Sequence, residues 1–562
     1  MSWKIIEKHR GTLAQEDGLP PKRRGGKLTV CLVYPNRYAV GMSNLGFQAV
    51  HALLNAEPDI LCDRAFLPDA DELREYRKAG TELLSLESQE PLSSFDIIAF
   101  SVSFESDYLN IPVIFDLAGI PARSADRGPS HPFVMGGGAA LFLNPEPVAD
   151  FMDLICVGEG EAILPGLLGL LRAEGLHARE PFLAEAAHLP GIYVPSLYEV
   201  ACDGVRIAGR TVRCGAPERV RRLWMAEPDE RGTVTEILTP GTEFSDMYLI
   251  EVSRGCPRGC RFCAAGFIYL PYRQRSLEAL KAQVTEGLEK RHKIGLVGAA
   301  VSDHRALGEL CRFIRDAGGK VSVSSLRIDR LDSEMIEVLK ASGHKTVALA
   351  PEGGSQRMRD LINKNLTEEQ ILAACELLID HDILNLKLYF IIGLPTETSE
   401  DLEELAALVV KIRERVVEAA RKNRRLGEVI LSVNPFVPKP FTPFQWCGME
   451  ETASLDRKLK YLHQAVGKLP NVRLQAESPK DAWLQALLSR GDRRLSALLL
   501  RAAELGSWKR AAREFDPAPD LLVHRTIPLD EPLPWGFIES VDEGRLAREY
   551  RRAFLLSPEQ HG

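Results

Sequence analysis

The sequence lacks any unbroken apolar run close to the ~18 residues that a membrane-spanning helix needs. Its first ten residues, MSWKIIEKHR, also lack the apolar core of a secretory signal peptide. We therefore expect a cytoplasmic protein without a membrane partner. With 45% hydrophobic and 26% charged residues among 562, the chain can bury large cores and has room for roughly two to four domains.

A disulfide framework and an excess of basic charge are also missing. The 11 cysteines are scattered and odd in number, which favours a reducing compartment. The net charge of −8 gives the whole chain no nucleic-acid footprint. Basic runs occur locally, and solvated helix faces or loops explain them more simply than RNA contacts do. These runs are residues 22–24, 219–222, 421–425 and 490–494.

Three cysteines lie close together, directly after an apolar, strand-like run. Cys256, Cys260 and Cys263 form a C-x3-C-x2-C pattern. A structural zinc site needs four ligands, and the nearest further Cys or His residues, Cys214 and His292, show no paired spacing. We therefore expect an iron–sulfur cube with one iron left free for a substrate, while zinc and three coincidental thiols stay open as alternatives.

The residues around these cysteines suit such a cluster. Gly255 and Gly259 permit a tight loop whose N–H groups turn toward sulfides. Arg254, Arg258 and Arg261 are expected to favour the thiolate form of the cysteines.

Two segments of alternating strands and helices predict the architecture. Residues 27–174 predict a doubly wound, Rossmann or flavodoxin-like parallel α/β sheet. Residues 241–450 contain six strand and helix pairs and predict a partial (β/α)6 barrel. Three further segments complete the chain: an N-terminal arm at 1–26, a β-rich connector at 175–240 and a helical C-terminal region at 451–562.

The C-x3-C-x2-C pattern, with Phe262 directly before its last cysteine, resembles the cluster loop of the radical S-adenosylmethionine (SAM) enzymes. That resemblance implies a 4Fe-4S cluster on the three cysteines and SAM contacts at the carboxyl ends of the barrel strands. The implied SAM-binding residues are Phe262, Gly298, Ser324, Arg327, Glu352 and Gly393.

Simpler structural explanations stay open for several of these residues. Gly298 begins GAAVS, where the family usually has a Gly-Gly-Glu sequence, so any contact there would use mostly the backbone. Arg327 can simply pair with Asp329, Glu352 can be an ordinary surface carboxylate, and Gly393 can be a strand exit.

The N-terminal segment resembles the cobalamin-binding domain fused to many radical SAM enzymes. The residues implied to bind cobalamin follow the strands, where doubly wound sheets bind ligands; they are Ser103, Gly136, Gly137, Gly138, Gly158 and Glu159. Such domains often carry D-x-H-x-x-G, whose histidine ligates cobalt, but here the only histidines are His51 and His131, without that motif. Cobalamin without a protein axial ligand and a domain that binds nothing both stay open.

The resemblance implies reductive cleavage of SAM to a 5′-deoxyadenosyl radical, with electrons from a small donor such as ferredoxin or flavodoxin. Methyl transfer is favoured if cobalamin binds. A methylthiotransferase-like modification of RNA or protein, or an iron–sulfur redox sensor or electron carrier without SAM turnover, stays open. The substrate is unknown, and RNA or a ribosomal component is the candidate class. Residues 434–446, rich in proline and aromatics, suit either substrate contact or core packing.

Overall fold

A computed structural model describes residues 2–18, 25–176, 178–323, 326–423 and 425–555 of the chain. The N-terminal strands are β1 (Leu28–Tyr34), β2 (Ile60–Phe66), β3 (Ile97–Ser101), β4 (Phe133–Gly137), β5 (Leu154–Cys156) and β6 (Ile192–Tyr193). They form one sheet in the order β2-β1-β3-β4-β5-β6, in which β1 to β5 are parallel and β6 is antiparallel. The predicted doubly wound α/β sheet is confirmed.

Strand β2 was not predicted because two charged residues interrupt its apolar pattern. Asp63 accepts hydrogen bonds from Ser85 and Ser88, and Arg64 pairs with two glutamates. Each buried charge therefore has partners elsewhere in the fold, so the strand can lie inside the sheet. The N-terminal helices are α1 (Trp3–Leu13), α2 (Tyr38–Met42), α3 (Leu45–Ala56), α4 (Ala70–Ala79), α5 (Ile111–Leu117), α6 (Ala139–Leu143), α7 (Gly160–Glu174) and α8 (Arg179–Ala186).

Short strands connect this sheet to the barrel. Strands β7 (Tyr198–Asp203) and β8 (Arg206–Val212) form an antiparallel hairpin, and β9 (Val220–Arg221) follows it. Strands β10 (Met247–Glu251) and β11 (Ser253–Arg254) then lead into the cysteine loop, and β12 (Arg273–Gln274) pairs with β11.

The barrel contains seven parallel strands within the described residues, one more than predicted. After β10 they are β13 (Lys293–Val297), β14 (Lys320–Val323), β15 (Thr346–Glu352), β16 (Asn385–Ile392), β17 (Val429–Pro435) and β18 (Val472–Ala476). They form two sheets, β10-β13-β14 and β15-β16-β17-β18. Strand β18 lies in the segment expected to be helical, and its polar sequence VRLQA explains why it was missed.

Helices cover the outer face of the barrel and form the C-terminal region. The barrel helices are α9 (Ala265–Ile268), α10 (Leu277–Lys290), α11 (Leu307–Asp316), α12 (Ser333–Ala341), α13 (Gln356–Leu361), α14 (Glu368–Asp380), α15 (Ser399–Asn423) and α16 (Thr452–Ala465). The C-terminal elements are α17 (Pro479–Arg490), α18 (Leu495–Leu505), α19 (Trp508–Glu514), α20 (Pro519–His524), β19 (Ile538–Glu539) and α21 (Glu543–Leu555). In the part of the chain that the structure describes, no helix is both long and apolar enough to cross a bilayer.

Two of the basic runs are partly buried, contrary to the expectation of solvated surfaces. Arg222 donates to the Leu270 carbonyl. Arg490 is only 2% exposed and donates to the Val523 carbonyl. These guanidinium groups tie distant segments together and are not available to RNA. The run at 22–24 lies outside the described residues.

Candidate functional site

The cysteine loop begins directly after β11, at the carboxyl end of the first barrel strand. Cys256, Cys260 and Cys263 are all partly exposed. Gly255 starts the loop at φ 85°, and a Cβ there would lie 2.5 Å from the Tyr269 carbonyl oxygen. Only glycine fits this close approach, so the predicted need for a tight loop is met at this position.

The loop fits an iron–sulfur cube better than a single metal ion. Among the residues described, no three or more Cys, His, Asp and Glu side chains converge as the ligands of one metal ion do. A cube binds each thiolate at a different iron and therefore suits thiols that are spread apart. Burial raises the pKa of the Cys263 thiol to about 12 and also raises the pKa values of Cys256 and Cys260. Cluster binding would therefore have to displace these protons.

Two of the three arginines expected to act on the thiols bind elsewhere. Arg254 pairs with glutamates, and Arg261 donates to the Asp360 and Leu361 carbonyls. Only Arg258 has an effect on a cluster thiol, since its charge slightly offsets the raised pKa of Cys256. The prediction was therefore wrong for Arg254 and Arg261, whose proximity in sequence does not carry over to the side chains.

Arg327 lies beside the thiols and also adopts its simpler alternative. Its guanidinium donates to Asp329 at 2.9 and 3.0 Å. Burial raises the pKa values of the Cys256 and Cys260 thiols, and the Arg327 charge offsets part of that rise. Ser324 lies outside the described residues.

A lysine that the sequence did not reveal completes the charged surroundings of the cysteines. Lys364 lies 3.6 Å from Glu352 at the end of β15, and burial raises the pKa of Glu352 despite this cation. The Lys364 charge also offsets part of the rise in the Cys260 pKa. Lys364 stands between Asn363 and Asn365, both with positive φ, and Asn363 donates to the Gly259 carbonyl of the cysteine loop. The Asn-Lys-Asn sequence was the available signal.

The other residues implied to bind SAM have identifiable packing roles. Phe262 packs in an apolar cluster beneath α21. A Cβ on Gly298 would lie 2.9 Å from the Ser253 carbonyl oxygen. Gly393, at φ 73°, donates its N–H to Glu397 at 2.7 Å. Each residue lies at a strand end, as predicted, but its contacts within the chain would be the same without SAM.

A cavity of ≈ 500 Å³ lies between the N-terminal sheet and the cysteine loop. Its walls include Phe104, Phe142 and Tyr269, and on the barrel side Gly255 and Gly298. The structure brings all six residues implied to bind cobalamin to this one cavity: Ser103, Gly136, Gly137, Gly138, Gly158 and Glu159. A ligand in it would therefore adjoin the cysteine loop directly.

The glycines around the cavity serve different purposes. Gly138 has φ 107°, and a Cβ there would lie 2.4 Å from the Val102 carbonyl oxygen. Gly158 has φ 131°, and its Cβ would lie 2.0 Å from the Leu223 carbonyl oxygen. These two glycines are required for the packing of the chain on itself. At Gly137 the nearest atom to an added Cβ is 3.6 Å away, so this position can face a ligand.

This difference predicts opposite results for two neighbouring substitutions. We expect Gly138→Ala to destabilise the protein by roughly 2 kcal/mol or more, because it adds backbone strain and a clash. Gly137→Ala should leave the thermal midpoint nearly unchanged and alter only ligand binding in the cavity. Thermal unfolding of both variants checks this. Equal losses would show that the packing distinction is wrong.

No histidine faces the cavity within the described residues. His51 is buried with its ring 3.1 Å from the Cys62 carbonyl oxygen, and burial lowers its pKa to about 3. Tyr38 occupies the histidine offset of D-x-H-x-x-G in the sequence NRYAVG. Its hydroxyl donates to Glu16 at 2.6 Å and its ring packs on Phe66, so it also points away. A cobalamin here would have no His or Tyr axial ligand.

Residues 434–446 are largely buried, which favours core packing over substrate contact. Trp446 packs against Tyr550 of α21 at 5.6 Å between ring centroids. Lys439 donates to Glu105 at 2.6 Å and to Ser489 at 3.1 Å. The segment thereby joins the N-terminal sheet, the barrel and α17.

Comparison with known proteins identifies the family. Residues 46–195 match the model of radical SAM proteins, N-terminal, and residues 250–409 match that of the radical SAM superfamily. An uncharacterized protein of Methanocaldococcus jannaschii is 32% identical over 479 residues, which cover 84% of this chain and 90% of that protein. This chain belongs to the radical SAM superfamily. It is a radical SAM enzyme, and membership implies a 4Fe-4S cluster and SAM.

Other relatives of this radical SAM enzyme align over shorter stretches. The anaerobic magnesium-protoporphyrin IX monomethyl ester cyclase of Rubrivivax gelatinosus is 29% identical over 52% of this chain and 51% of the cyclase. The ribosomal protein uS12 methylthiotransferase RimO of Thermotoga petrophila is 27% identical over 29% of this chain and 41% of that enzyme. The cobalamin-dependent radical SAM enzyme OxsB, solved with aqua-cobalamin and SAM, has a TM-score of 0.46 and 18% identity, covering 68% of this chain and 52% of OxsB.

An ionic network joins the two halves of this radical SAM enzyme next to its cysteine loop. Arg254 donates to Glu159 at 2.8 Å, to Glu161 at 3.0 Å and to Glu251 at 2.9 Å. Arg273 donates to both oxygens of Glu159, at 2.6 and 2.9 Å. Glu159, implied to bind cobalamin, thus directs its carboxylate to arginines, and the network forms a wall of the cavity.

Proposed function

We propose that this radical SAM enzyme holds its cluster on Cys256, Cys260 and Cys263 and uses SAM to modify a substrate. A bound cluster supplies the electron that splits the sulfonium C5′–S bond of SAM, which yields a 5′-deoxyadenosyl radical. The observation that carries the proposal is the cavity between the N-terminal sheet and the cysteine loop, because it places a second ligand directly beside the SAM site.

The chain's own residues would bind SAM and exclude water. Lys364 is the cation best placed to bind the SAM carboxylate, since it acts on Cys260 and its only carboxylate within 4.0 Å among the residues described is Glu352. Glu352, at the end of β15, would accept hydrogen bonds from the ribose hydroxyls. The apolar cluster around Phe262 keeps one side of the loop dry.

We further propose that the cavity holds cobalamin without a protein axial ligand and that the reaction is methyl transfer. The apolar walls and the open face at Gly137 fit a flat macrocycle. Methylthio transfer is the second candidate and is supported by the alignment with RimO. Electrons would come from a small donor such as ferredoxin or flavodoxin.

Anaerobic reconstitution tests the proposal. The protein is loaded with iron and sulfide, reduced with dithionite and mixed with SAM, and 5′-deoxyadenosine is measured by mass spectrometry. We expect accumulation of 5′-deoxyadenosine, and after addition of hydroxocobalamin a cobalt-linked visible spectrum that stays with the protein through gel filtration. A stable cluster without any SAM cleavage would favour the redox carrier instead. Failure to retain hydroxocobalamin would end the cobalamin part alone.

The proposed role of Lys364 predicts a selective loss of SAM affinity. We expect Lys364→Gln to weaken SAM binding by about 1.5–3 kcal/mol, because a charge-assisted hydrogen bond is removed. Lys364→Arg should restore part of the affinity, since the positive charge is kept. Electron paramagnetic resonance of the reduced cluster during a SAM titration measures this. The control is Lys340→Gln, which removes a lysine that pairs with Asp382 on the surface. Unchanged SAM affinity in Lys364→Gln would remove this residue from the site.

A further inference from the structure

The inner face of the barrel is recognisable from the alternating burial of its strands. In β16, Leu386 and Leu388 are fully buried, whereas Lys387 and Tyr389 are partly exposed. The outward side is fixed at α10, where a Cβ on Gly287 would lie 3.0 Å from Ile294 of β13. Because successive side chains point to opposite faces, the partly exposed residues face the interior.

This interior is not filled as a closed barrel core would be. Closed (β/α)8 barrels pack bulky branched side chains in their interior. Here several inward positions in the middle of the strands carry small side chains: Gly295, Ser322, Ala348, Ala350 and Ser432. The small side chains leave space around Lys387 and Tyr389.

Lysines are concentrated at the amino end of the same face. Lys293 begins β13 and Lys320 begins β14, and the two are direct register partners. Lys345 immediately precedes β15, and Lys387 lies two residues into β16. We call these four residues the lysine row.

The charges of the lysine row are largely uncompensated. Lys293 lies 3.3 Å from Asp246, which is itself mostly exposed. For Lys320, Lys345 and Lys387, the described part of the chain provides no carboxylate within 4.0 Å. The Lys387 ammonium instead lies 4.9 Å from the centroid of the Tyr389 ring. Like charges at register positions destabilise a sheet, so this arrangement is better explained by an anionic ligand than by stability.

Resting on the proposed function, we propose that the lysine row and Tyr389 bind a single-stranded segment of RNA that enters the barrel from its amino end. Phosphates would contact the lysines, and a base would stack on Tyr389. A positively charged groove combined with an aromatic ring is the usual combination in proteins that bind single strands. Tyr389 lies three residues before the end of β16, which places the stacked base about 10 Å from the strand's carboxyl end and hence near the SAM site.

Fluorescence anisotropy with the anaerobically purified, cluster-loaded protein tests this assignment. The probe is a labelled 12-nucleotide single-stranded RNA of mixed sequence, titrated at several salt concentrations without reductant. For the variant with Lys320→Gln, Lys345→Gln and Lys387→Gln, we expect affinity at least tenfold lower and a salt slope smaller by about 2, because each phosphate contact contributes about 0.7. Tyr389→Leu should weaken binding roughly tenfold with an unchanged slope, while Tyr389→Phe keeps the affinity.

The control removes three lysines from outer helices: Lys281, Lys411 and Lys509, of which Lys509 also lies over an aromatic ring. Native affinity in this control, together with losses in the lysine-row variant, supports the proposal. It is overturned if native protein does not bind the RNA, if both triple variants behave alike, or if polyglutamate binds the lysine row as tightly and Tyr389→Leu does not matter. The last result would assign an acidic polypeptide. Because no turnover is needed, a failure of SAM cleavage and a failure of RNA binding are separate results.

Discussion

Changing Cys260 to alanine is expected to abolish 5′-deoxyadenosine formation and to leave the protein without a stable 4Fe-4S cluster. The three cysteines supply all the protein thiolates of the site, and two thiolates cannot hold a cube that also keeps one iron open for SAM. Burial raises the pKa of Cys260, so the thiol gains its ligand role only when iron replaces the proton. Bound iron and sulfide, and mass-spectrometric detection of 5′-deoxyadenosine, measure the two losses.

Cys256→Ala and Cys263→Ala should give the same result, because each cysteine binds a different iron. The matched control is Cys214→Ala, which removes an exposed cysteine from outside the loop. This control should keep its full iron content and native SAM cleavage. If Cys260→Ala retained the native cluster and activity, another ligand would have to complete the site, and the three-cysteine assignment would be wrong.

The fold was largely predictable because its apolar patterns are continuous. Strands such as β1 and β3 are buried on both faces and read as unbroken hydrophobic runs. Prediction failed where burial depends on a distant partner. Arg64 can lie inside β2 only because Glu16 of the N-terminal arm reaches it, and the exposed edge strand β18 has a polar sequence. Neither contact is visible in a local pattern.

The candidate site was predictable in position but not in contacts. The strand-end rule correctly brought Ser103 and Gly137 to the cavity and Glu352 beside the cysteines. It could not show which of these residues meet a ligand and which meet the chain itself. Gly158 is required by the Leu223 backbone, and Glu159 by two arginines. Lys364 was missed because a loop over 100 residues away in sequence carries it to Cys260.

Arg254→Met is expected to give the largest loss of stability among surface-distant substitutions in this protein. The Arg254 side chain is 12% exposed and contacts three carboxylates, of which Glu161 has no other cationic partner among the residues that the structure describes. Removing one member of a buried ionic network typically costs about 3–5 kcal/mol, because the remaining charges stay buried without compensation. The thermal midpoint should fall by roughly 10 °C.

The same substitution should also disconnect the cavity from the cysteine loop. Arg254 holds the start of α7 against the residue two positions before Cys256, so its loss should weaken both hydroxocobalamin retention and SAM cleavage. Arg172→Met is the matched control, since it removes an exposed arginine that pairs with Glu57 and Asp59 from the far end of α7, and it should leave the thermal midpoint unchanged.

A double-mutant cycle separates the charge from the side-chain volume. Glu161→Gln in the Arg254→Met background should recover part of the lost stability, because it removes the carboxylate that the first change leaves unpaired. Thermal unfolding of the two single variants and the double variant gives the coupling. If the two effects simply add, Arg254 stabilises the junction through packing alone. The ionic network would then not be what joins the N-terminal sheet to the cysteine loop.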